Sequence, residues 1–371
     1  MLILSCNTGE GHNSCAAAIK NYYNSMNEEC DIKDALGFIG PRVSRMFSKG
    51  HVTVYRYFAG AYRKAYGYYE KHPVRLMKRT GLYRLLYRGV GRLYKDIVRE
   101  RYDAVICAHS FAAVMMEKLQ ALYKPDISIY FVATDYMCSP GIRGIKFEGC
   151  FIPNADVAEE FRWPCADDGQ IVDSGIPVRE MFYEDTDRDA AKAAFDVPAD
   201  HRHLVLMCGS MGAGPMMELA GKLADRLPDD VTLTIVCGTN VKLKEKLDAT
   251  HGSIGNIHIR GFVKDMSLLL DSADLYLTKP GGISITEATL KSVPMVLVDA
   301  VAGCEGPNLE FFVSRNCART GKNTTELADI CMATITDNEV IENMRQNFIP
   351  LRRRNAAKTI YGYIKEKYGE Q

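Results

Sequence analysis

Uniformly apolar runs alternate along this chain with longer amphipathic stretches, and the alternation starts afresh near residue 200. In the first half, Leu2–Cys6, Ala104–Ala108 and Ser128–Ala133 read as strands apolar on both faces, with shorter ones at Gly149–Pro153 and Gln170–Val172. His12–Met26 and Ala112–Tyr123 carry helical spacing, and residues 40–100 predict helical segments broken at Gly60, Pro73, Gly81 and Gly89. The second half predicts strands at His203–Cys208, Thr232–Cys237, Ile257–Ile259, Leu275–Thr278 and Met295–Val298. Its helices are expected at Met216–Leu227, Val241–Thr250 and Lys264–Ser272. Buried strands separated by helices imply an α/β protein with two Rossmann-like, doubly wound parallel sheets. Residues 183–200 are polar and charged and are the expected connector. That places domains at 1–182 and 201–350, followed by residues 351–371, in which Leu351–Lys367 reads as a basic amphipathic helix.

At 371 residues the chain is long enough for two ordinary cores. Its apolar fraction of 47% and charged fraction of 25% are those of a globular protein, and no run reaches transmembrane length. Met1 leads directly into the first strand, so no signal segment is expected. The 12 cysteines include no C-x-x-C pair and no Cys/His zinc spacing. Cys107, Cys208 and Cys237 sit in apolar runs and read as reduced core residues of a cytosolic protein. No metal or other cofactor is expected, because Asp185-Thr186-Asp187, the one Asp-x-Asp considered as a metal motif, falls in the connector.

Charge changes the picture. Lys plus Arg and Asp plus Glu are 46 each, yet Arg42–Arg101 holds sixteen basic residues against Glu70, Asp96 and Glu100, a local excess of +13. Aromatic rings interleave with it, among them Tyr55, Tyr57, Phe58, Tyr62, Tyr66, Tyr68, Tyr69, Tyr83, Tyr87 and Tyr94. Tyrosine rings favour the bilayer interface, and a basic residue beside an anionic leaflet contributes on the order of 1 kcal/mol. Arg84, Arg88 and Arg92 are candidate contacts in this belt. A solvated helical face over packed tyrosines is the plainer alternative, and single-stranded nucleic acid a third. An anionic membrane surface is the expected partner, with no nucleic acid.

Candidate chemistry concentrates in residues 278–308. Gly281 and Gly282 follow the apolar strand and, through Ile283, open a helical run from Ser284 to Lys291, presenting backbone N–H groups and the positive end of a helix dipole. That suits a phosphate. Glu287, one turn on, is placed to accept hydrogen bonds from a ribose diol, while Glu305 and Asn308 suit sugar hydroxyls. A nucleotide-sugar pocket fits this order of residues better than a plain capped turn. Gly209-Ser210-Met211-Gly212 is a second glycine-rich strand-to-helix loop, as a diphosphate requires. Lys279 beside the turn suits the charge of a departing diphosphate, or a plain surface role. In the first half, Gly11 and His12 sit between the first strand and first helix, at the sheet edge where doubly wound folds bind ligands. A near-neutral imidazole there can take the proton of an acceptor hydroxyl.

K-P-G-G-x4-E at 279–287 followed by G-x-E-x-x-N at 303–308 resembles the donor region of bacterial diacylglycerol glycosyltransferases and plant monogalactosyldiacylglycerol synthases. These are relatives of the lipid-linked peptidoglycan GlcNAc-transferase and share the two-domain GT-B fold, whose halves face a cleft. Ser5–His12, Ala108–Ala112, Gly175–Arg179, Met207–Gly212 and Gly261–Val263 are similar to further segments of the family. The resemblance implies an inverting transfer of hexose from UDP-glucose or UDP-galactose to diacylglycerol, on the inner face of the cell membrane and without a metal. It implies that His12 is, or supports, the base and that Asp135 orients the base or the acceptor. It also implies that Phe262 and Val263 hold uracil through backbone groups, and that the C-terminal helix crosses back to the first domain. Without the resemblance, Phe262 and Val263 read as core. The chain departs from many members after Asp135, with Cys138-Ser139-Pro140 where they carry a His. His109, at a strand end, fits cleft lining and a structural role alike. Two rivals share the pocket: transfer to a polyprenyl-linked wall precursor, and a UDP-sugar 2-epimerase, which leaves the basic belt without a purpose.

Overall fold

The structure is a computed structural model that describes residues 1–7, 10–47, 81–162, 168–212, 214–298, 305–352 and 355–369. Much of the basic belt, residues 48–80, and also Thr8, Gly9, Ala213 and 299–304 lie outside them. The chain forms two compact units, one of Met1–Glu180 with Arg353–Gln371, the other of Met181–Ala300 with Glu305–Arg352.

The first unit is a six-stranded parallel sheet. Its strands are β1 (Leu2–Ser5), β2 (Asp31–Asp34), β3 (Ala104–Cys107), β4 (Ser128–Val132), β5 (Gly149–Ile152) and β6 (Ile171–Asp173). They lie in the order β2-β1-β3-β4-β5-β6, so the winding reverses between β1 and β3. Every residue of β1, β3 and β5 is buried, as expected where helices cover both faces. The expected strands at both ends of this half are thus present. β2, sequence DIKD, was not legible: it is an edge strand whose residues are exposed or half-buried.

Helices α1 (Glu10–Ser25), α2 (Gly81–Tyr87), α3 (Val90–Glu100) and α4 (Ser110–Tyr123) belong to this unit. The helix expected over Leu351–Lys367 runs later, Ala356–Gly369, after a 3-10 turn at Ile349–Leu351. Its Tyr361 ring stands edge-on to Tyr22 and Tyr23 of α1, 5.5 and 5.0 Å between centroids. Tyr361 and Lys365 both reach Glu28, at 2.8 and 2.6 Å. Tyr363 donates to the carbonyl of Glu148 just before β5.

The second unit repeats the plan with β7 (Arg202–Met207), β8 (Val231–Val236), β9 (Ile257–Arg260), β10 (Leu275–Thr278), β11 (Met295–Leu297) and β12 (Ala318–Thr320). All pairings are parallel, in the order β12-β11-β10-β7-β8-β9. Numbered within the unit this is 6-5-4-1-2-3, the dinucleotide-fold order, and it reverses between β7 and β10. Leu204, Leu206, Leu233, Ile235, Leu275 and Leu277 form one face of its core. The polar segment 183–200 carries a helix, Arg188–Ala194, capped by Asp187 and folded onto this unit. Its charges have partners: buried Lys192 donates to the carbonyls of Ala199 and His201, and Arg188 pairs with Asp274. Asp274, 3% exposed, also receives Arg345 at 2.9 Å and Arg202 at 3.5 Å. The polarity that suggests a connector is the ion pairing that holds the segment down.

Candidate functional site

Ligands of doubly wound sheets lie at the carboxyl ends of strands where the winding reverses. In each unit several of the sequence-predicted residues lie near that point, while Arg84, Arg88, Arg92, Phe262 and Val263 lie away from it.

In the first unit the reversal falls between β1 and β3, which pair with Leu4 beside Cys107. His12 lies in the first turn of α1, after β1, and His109 is the N-cap of α4, after β3. Their rings meet edge-on, 4.5 Å between centroids. His12 Nδ1 is 2.9 Å from the carbonyl of Ala108 and 3.1 Å from the hydroxyl of Thr134, at the end of β4. A carbonyl only accepts, so Nδ1 carries the hydrogen and Nε2 keeps its lone pair. That is the tautomer a general base needs. Burial pushes the His12 imidazole below its ordinary pKa, and the Asp135 carboxylate and the Ala108 carbonyl oppose the shift. Asp135 takes the Thr134 hydroxyl at 3.4 Å. His109 accepts the backbone N–H of Phe111 on Nδ1 at 2.9 Å, which leaves its own hydrogen on Nε2. His109 thus has a structural duty as a cap and a place against His12. Gly11 adjoins His12 in the same turn. Thr134 was missed by sequence reasoning, although its position beside Asp135 after a buried strand was a usable signal.

Arg84 and Arg88 are exposed, on α2 and in the turn that follows it. Arg92, also exposed, donates through its guanidinium to the carbonyl of Ile39, so part of its role is to tie α3 to the turn after β2. Among the described residues, no helix is long and apolar enough to cross a membrane.

In the second unit the reversal falls between β7 and β10, which pair with Met207 beside Thr278. The loops leaving these strands are the two glycine turns. Gly281 caps helix Gly282–Leu290 with extended backbone and no side-chain hydrogen bond, since it has no side chain to offer. The first-turn N–H groups therefore face outward without an internal cap. Ile283 and Ser284 follow in this turn, and Thr286 bonds back to the Gly282 carbonyl at 2.7 Å. Tyr276, buried on β10, lies beside the hydroxyls of Thr278 and Ser284 and senses the Glu287 carboxylate; burial raises its phenol well above the ordinary value. Glu287 is half-buried there.

The other turn, Gly209-Ser210-Met211-Gly212, needs glycine for a steric reason. Gly209 and Gly212 have φ of +76° and +52°, and a Cβ on Gly212 would sit 2.5 Å from the Cys237 carbonyl oxygen. The loop after β8 presses equally close: a Cβ on Gly238 would meet the Ser210 oxygen at 2.0 Å. The Ser210 carbonyl accepts from Thr239 N–H at 2.9 Å, and Gly238 N–H reaches the Gly261 carbonyl at 3.2 Å. Three strand ends are thereby laced together, with Phe262 and Val263 next along the chain. Phe262 is 69% exposed, so it is not the core residue that pattern alone suggests. Sequence reasoning missed Gly238-Thr239-Asn240; its glycine directly after a buried strand was the signal.

Lys279 bridges these turns. Its Cε lies 3.7 Å from where a Gly209 Cβ would stand, and its ammonium is 3.2 Å from Glu305. Glu305 opens helix Glu305–Val313, in which buried Asn308 donates to the Pro280 carbonyl at 2.9 Å. Lys279, Glu305 and Asn308 thus close one end of the glycine turn, and Glu287 with Tyr276 the other.

The two glycine turns are thus ringed by hydrogen-bonding side chains at the second sheet's switch point. Residues 12–178 match the monogalactosyldiacylglycerol (MGDG) synthase model, and residues 203–306 match the glycosyltransferase family 28 C-terminal domain. The chain is a GT-B glycosyltransferase. A processive diacylglycerol beta-glucosyltransferase of Bacillus licheniformis is 25% identical over 384 residues, covering 99% of this enzyme and 94% of that one. MurG of Acinetobacter baumannii has a TM-score of 0.63 at 12% identity, over 99% of each chain. A UDP-GlcNAc 2-epimerase of Neisseria meningitidis bound to UDP-GlcNAc has a TM-score of 0.61 at 13% identity, over 99% of this enzyme and 100% of that chain. At such identities the two structural likenesses concern fold alone.

Proposed function

We propose that this enzyme transfers a hexose from a UDP-sugar, UDP-glucose or UDP-galactose, to diacylglycerol with inversion, forming a membrane glycolipid. The observation that carries the reading is the pairing of a Glu287-flanked glycine turn at the second unit's switch point with full-length similarity to a diacylglycerol beta-glucosyltransferase.

In this mechanism the acceptor hydroxyl gives its proton to His12 Nε2 while its oxygen bonds to the anomeric carbon. The bond from that carbon to the β-phosphate oxygen breaks, and UDP leaves with the electron pair. Backbone N–H groups at Gly282–Ser284 and around Gly209–Gly212 stabilise the leaving charge, the electrostatic role that commonly dominates, and no metal is required. Glu287 takes the ribose diol, Glu305 the sugar with buried Asn308 behind it holding the Pro280 carbonyl, and backbone groups near Phe262 and Val263 the base. Asp135 supports the imidazolium. The Arg42–Arg101 belt holds the enzyme on the anionic inner face of the cell membrane.

Mass spectrometry of lipids from purified enzyme given UDP-glucose, UDP-galactose and diacylglycerol tests this. A hexosyl-diacylglycerol is expected. Product only on a polyprenyl-linked acceptor moves the enzyme to wall synthesis. An epimerised nucleotide sugar without lipid product overturns the transferase reading, which fold likeness to an epimerase makes worth measuring.

A further inference from the structure

We propose that Thr134 is a positioning residue that couples Asp135 to His12 and fixes the tautomer in which His12 works; this rests on His12 being the base of the transfer above. Thr134 is 9% exposed, and its hydroxyl stands between two groups, 3.1 Å from His12 Nδ1 and 3.4 Å from Asp135 Oδ2. A hydroxyl has one hydrogen and two lone pairs. Given to the carboxylate, which only accepts, that hydrogen leaves the lone pairs for Nδ1–H. The Ala108 carbonyl, 2.9 Å from the same nitrogen, demands the same hydrogen there. Every group in the chain Asp135–Thr134–His12–Ala108 then has its polarity satisfied in one arrangement only. The opposite tautomer would set the Nδ1 lone pair against the carbonyl's and require the hydroxyl to turn from Asp135. His109 has the reverse assignment, because its Nδ1 accepts from Phe111 N–H. The two touching imidazoles are thereby held by the backbone in opposite tautomers, and His12 is the one whose Nε2 is free of hydrogen.

The consequence is chemical. When Nε2 takes the acceptor's proton, the imidazolium's Nδ1–H is already directed to two acceptors, one of them hydrogen-bonded to a carboxylate. Charge develops where it is already solvated, and no group need reorient. Burial disfavours the imidazolium, and Asp135 opposes that; the Thr134 oxygen lies between the two.

Two measurements on the full chain decide this. In a long-range proton–nitrogen correlation of nitrogen-15-labelled enzyme, His12 should carry its hydrogen on Nδ1 and His109 on Nε2; His12 with its hydrogen on Nε2 overturns the proposal. In steady-state transfer, Thr134→Val should lower kcat about 10-fold or more with KM for the UDP-sugar unchanged, and Thr134→Ser should recover most of it. A kcat unchanged in Thr134→Val while His12→Ala is inactive overturns the bridge and leaves the base in place. Full turnover of His12→Ala overturns both. A fall in Thr134→Val that Thr134→Ser does not recover also overturns it, since the hydroxyl is then not what matters.

Discussion

The Lys279 ammonium lies 3.2 Å from a carboxylate oxygen of Glu305, and the two side chains are only 18% and 7% exposed. A cation beside the phosphate turns is thus already engaged by an anion at the end where the sugar is expected. On the proposed reading, a donor diphosphate would therefore rely chiefly on the backbone N–H groups of the two turns. Breaking a buried pair from one side is costly, typically about 3–5 kcal/mol, because it strands the other charge. Lys279→Met should therefore destabilise the enzyme by about 3 kcal/mol. Adding Glu305→Gln should restore part of the loss. Urea denaturation of the two variants checks this; a single mutant within about 1 kcal/mol of the parent contradicts it.

Glu287 should anchor the nucleoside. Its carboxylate lies close enough to the Tyr276 phenol to act on it, the proposal gives it the ribose hydroxyls, and hydrogen bonds to a charged group contribute about 1.5–3 kcal/mol. Glu287→Ala should weaken UDP binding by that amount in calorimetry. Unchanged affinity in a folded variant would remove Glu287 from the site.

His12→Ala should lower turnover by roughly 100-fold or more and leave UDP binding nearly intact, since a lost base acts on chemistry. The pH profile has a definite sign. A base works deprotonated, and burial holds the His12 imidazole below its ordinary value of about 6.5. Transfer should hence stay flat around pH 7 and fall only as pH drops through a lower value. A limb centred above 6.5 would show that another group titrates.

Strands with a run of apolar residues were legible in the sequence, the edge strands β6 and β9 among them, and those without such a run were not. β1, β3, β7, β8 and β10 announce themselves because helices cover both sides. Edge strands β2 (DIKD) and β12 (ART) do not, since their pairing lies in backbone register alone. Helix Thr324–Ile335 was overlooked although its start is marked in the sequence. Asn323 caps Glu326 N–H at 3.0 Å, and Glu326 reaches back to Lys322 N–H at 2.9 Å. At the candidate site, both glycine turns could be read from glycines placed directly after apolar strands, and at Gly209 and Gly212 a positive φ explains the residue choice. The contact of Thr134 with His12 and the Lys279–Glu305 pair could not, because each depends on segments apart in sequence meeting at one sheet edge.

His203 gives a second pH dependence, of stability. It is fully buried, bonded to Ser272 at 2.9 Å and Thr234 at 2.8 Å. Burial lowers its pKa to about 4, though Asp274 pulls the other way. The unfolded imidazole titrates near 6.5. Above that pH neither state binds the proton and the full stability is present. Between about 6.5 and 4 only the unfolded chain binds it, so stability falls as pH drops, by roughly 3 kcal/mol in all. His203→Gln should lose less stability than the parent between pH 7 and 4. Equal losses in denaturant titrations at the two pH values would show that His203 is not the group responsible.

The last prediction concerns the membrane. The +13 stretch Arg42–Arg101 should bind anionic vesicles and release them as salt rises, because surface attraction is screened over about 10 Å at 0.1 M. The test cluster matters: Arg92 also holds the Ile39 carbonyl, so neutralising it mixes charge with stability. Arg84, Arg88 and Lys95 are exposed and make the cleaner set. Changing all three to Gln should weaken vesicle binding and activity on membrane-embedded diacylglycerol, yet leave UDP affinity unchanged. Co-sedimentation with neutral and anionic liposomes at two salt concentrations decides it. Equal binding to both lipids, or binding to neither, would make the belt a solvated helical face, and the lipid acceptor would then rest on the donor-site similarity and its relatives alone.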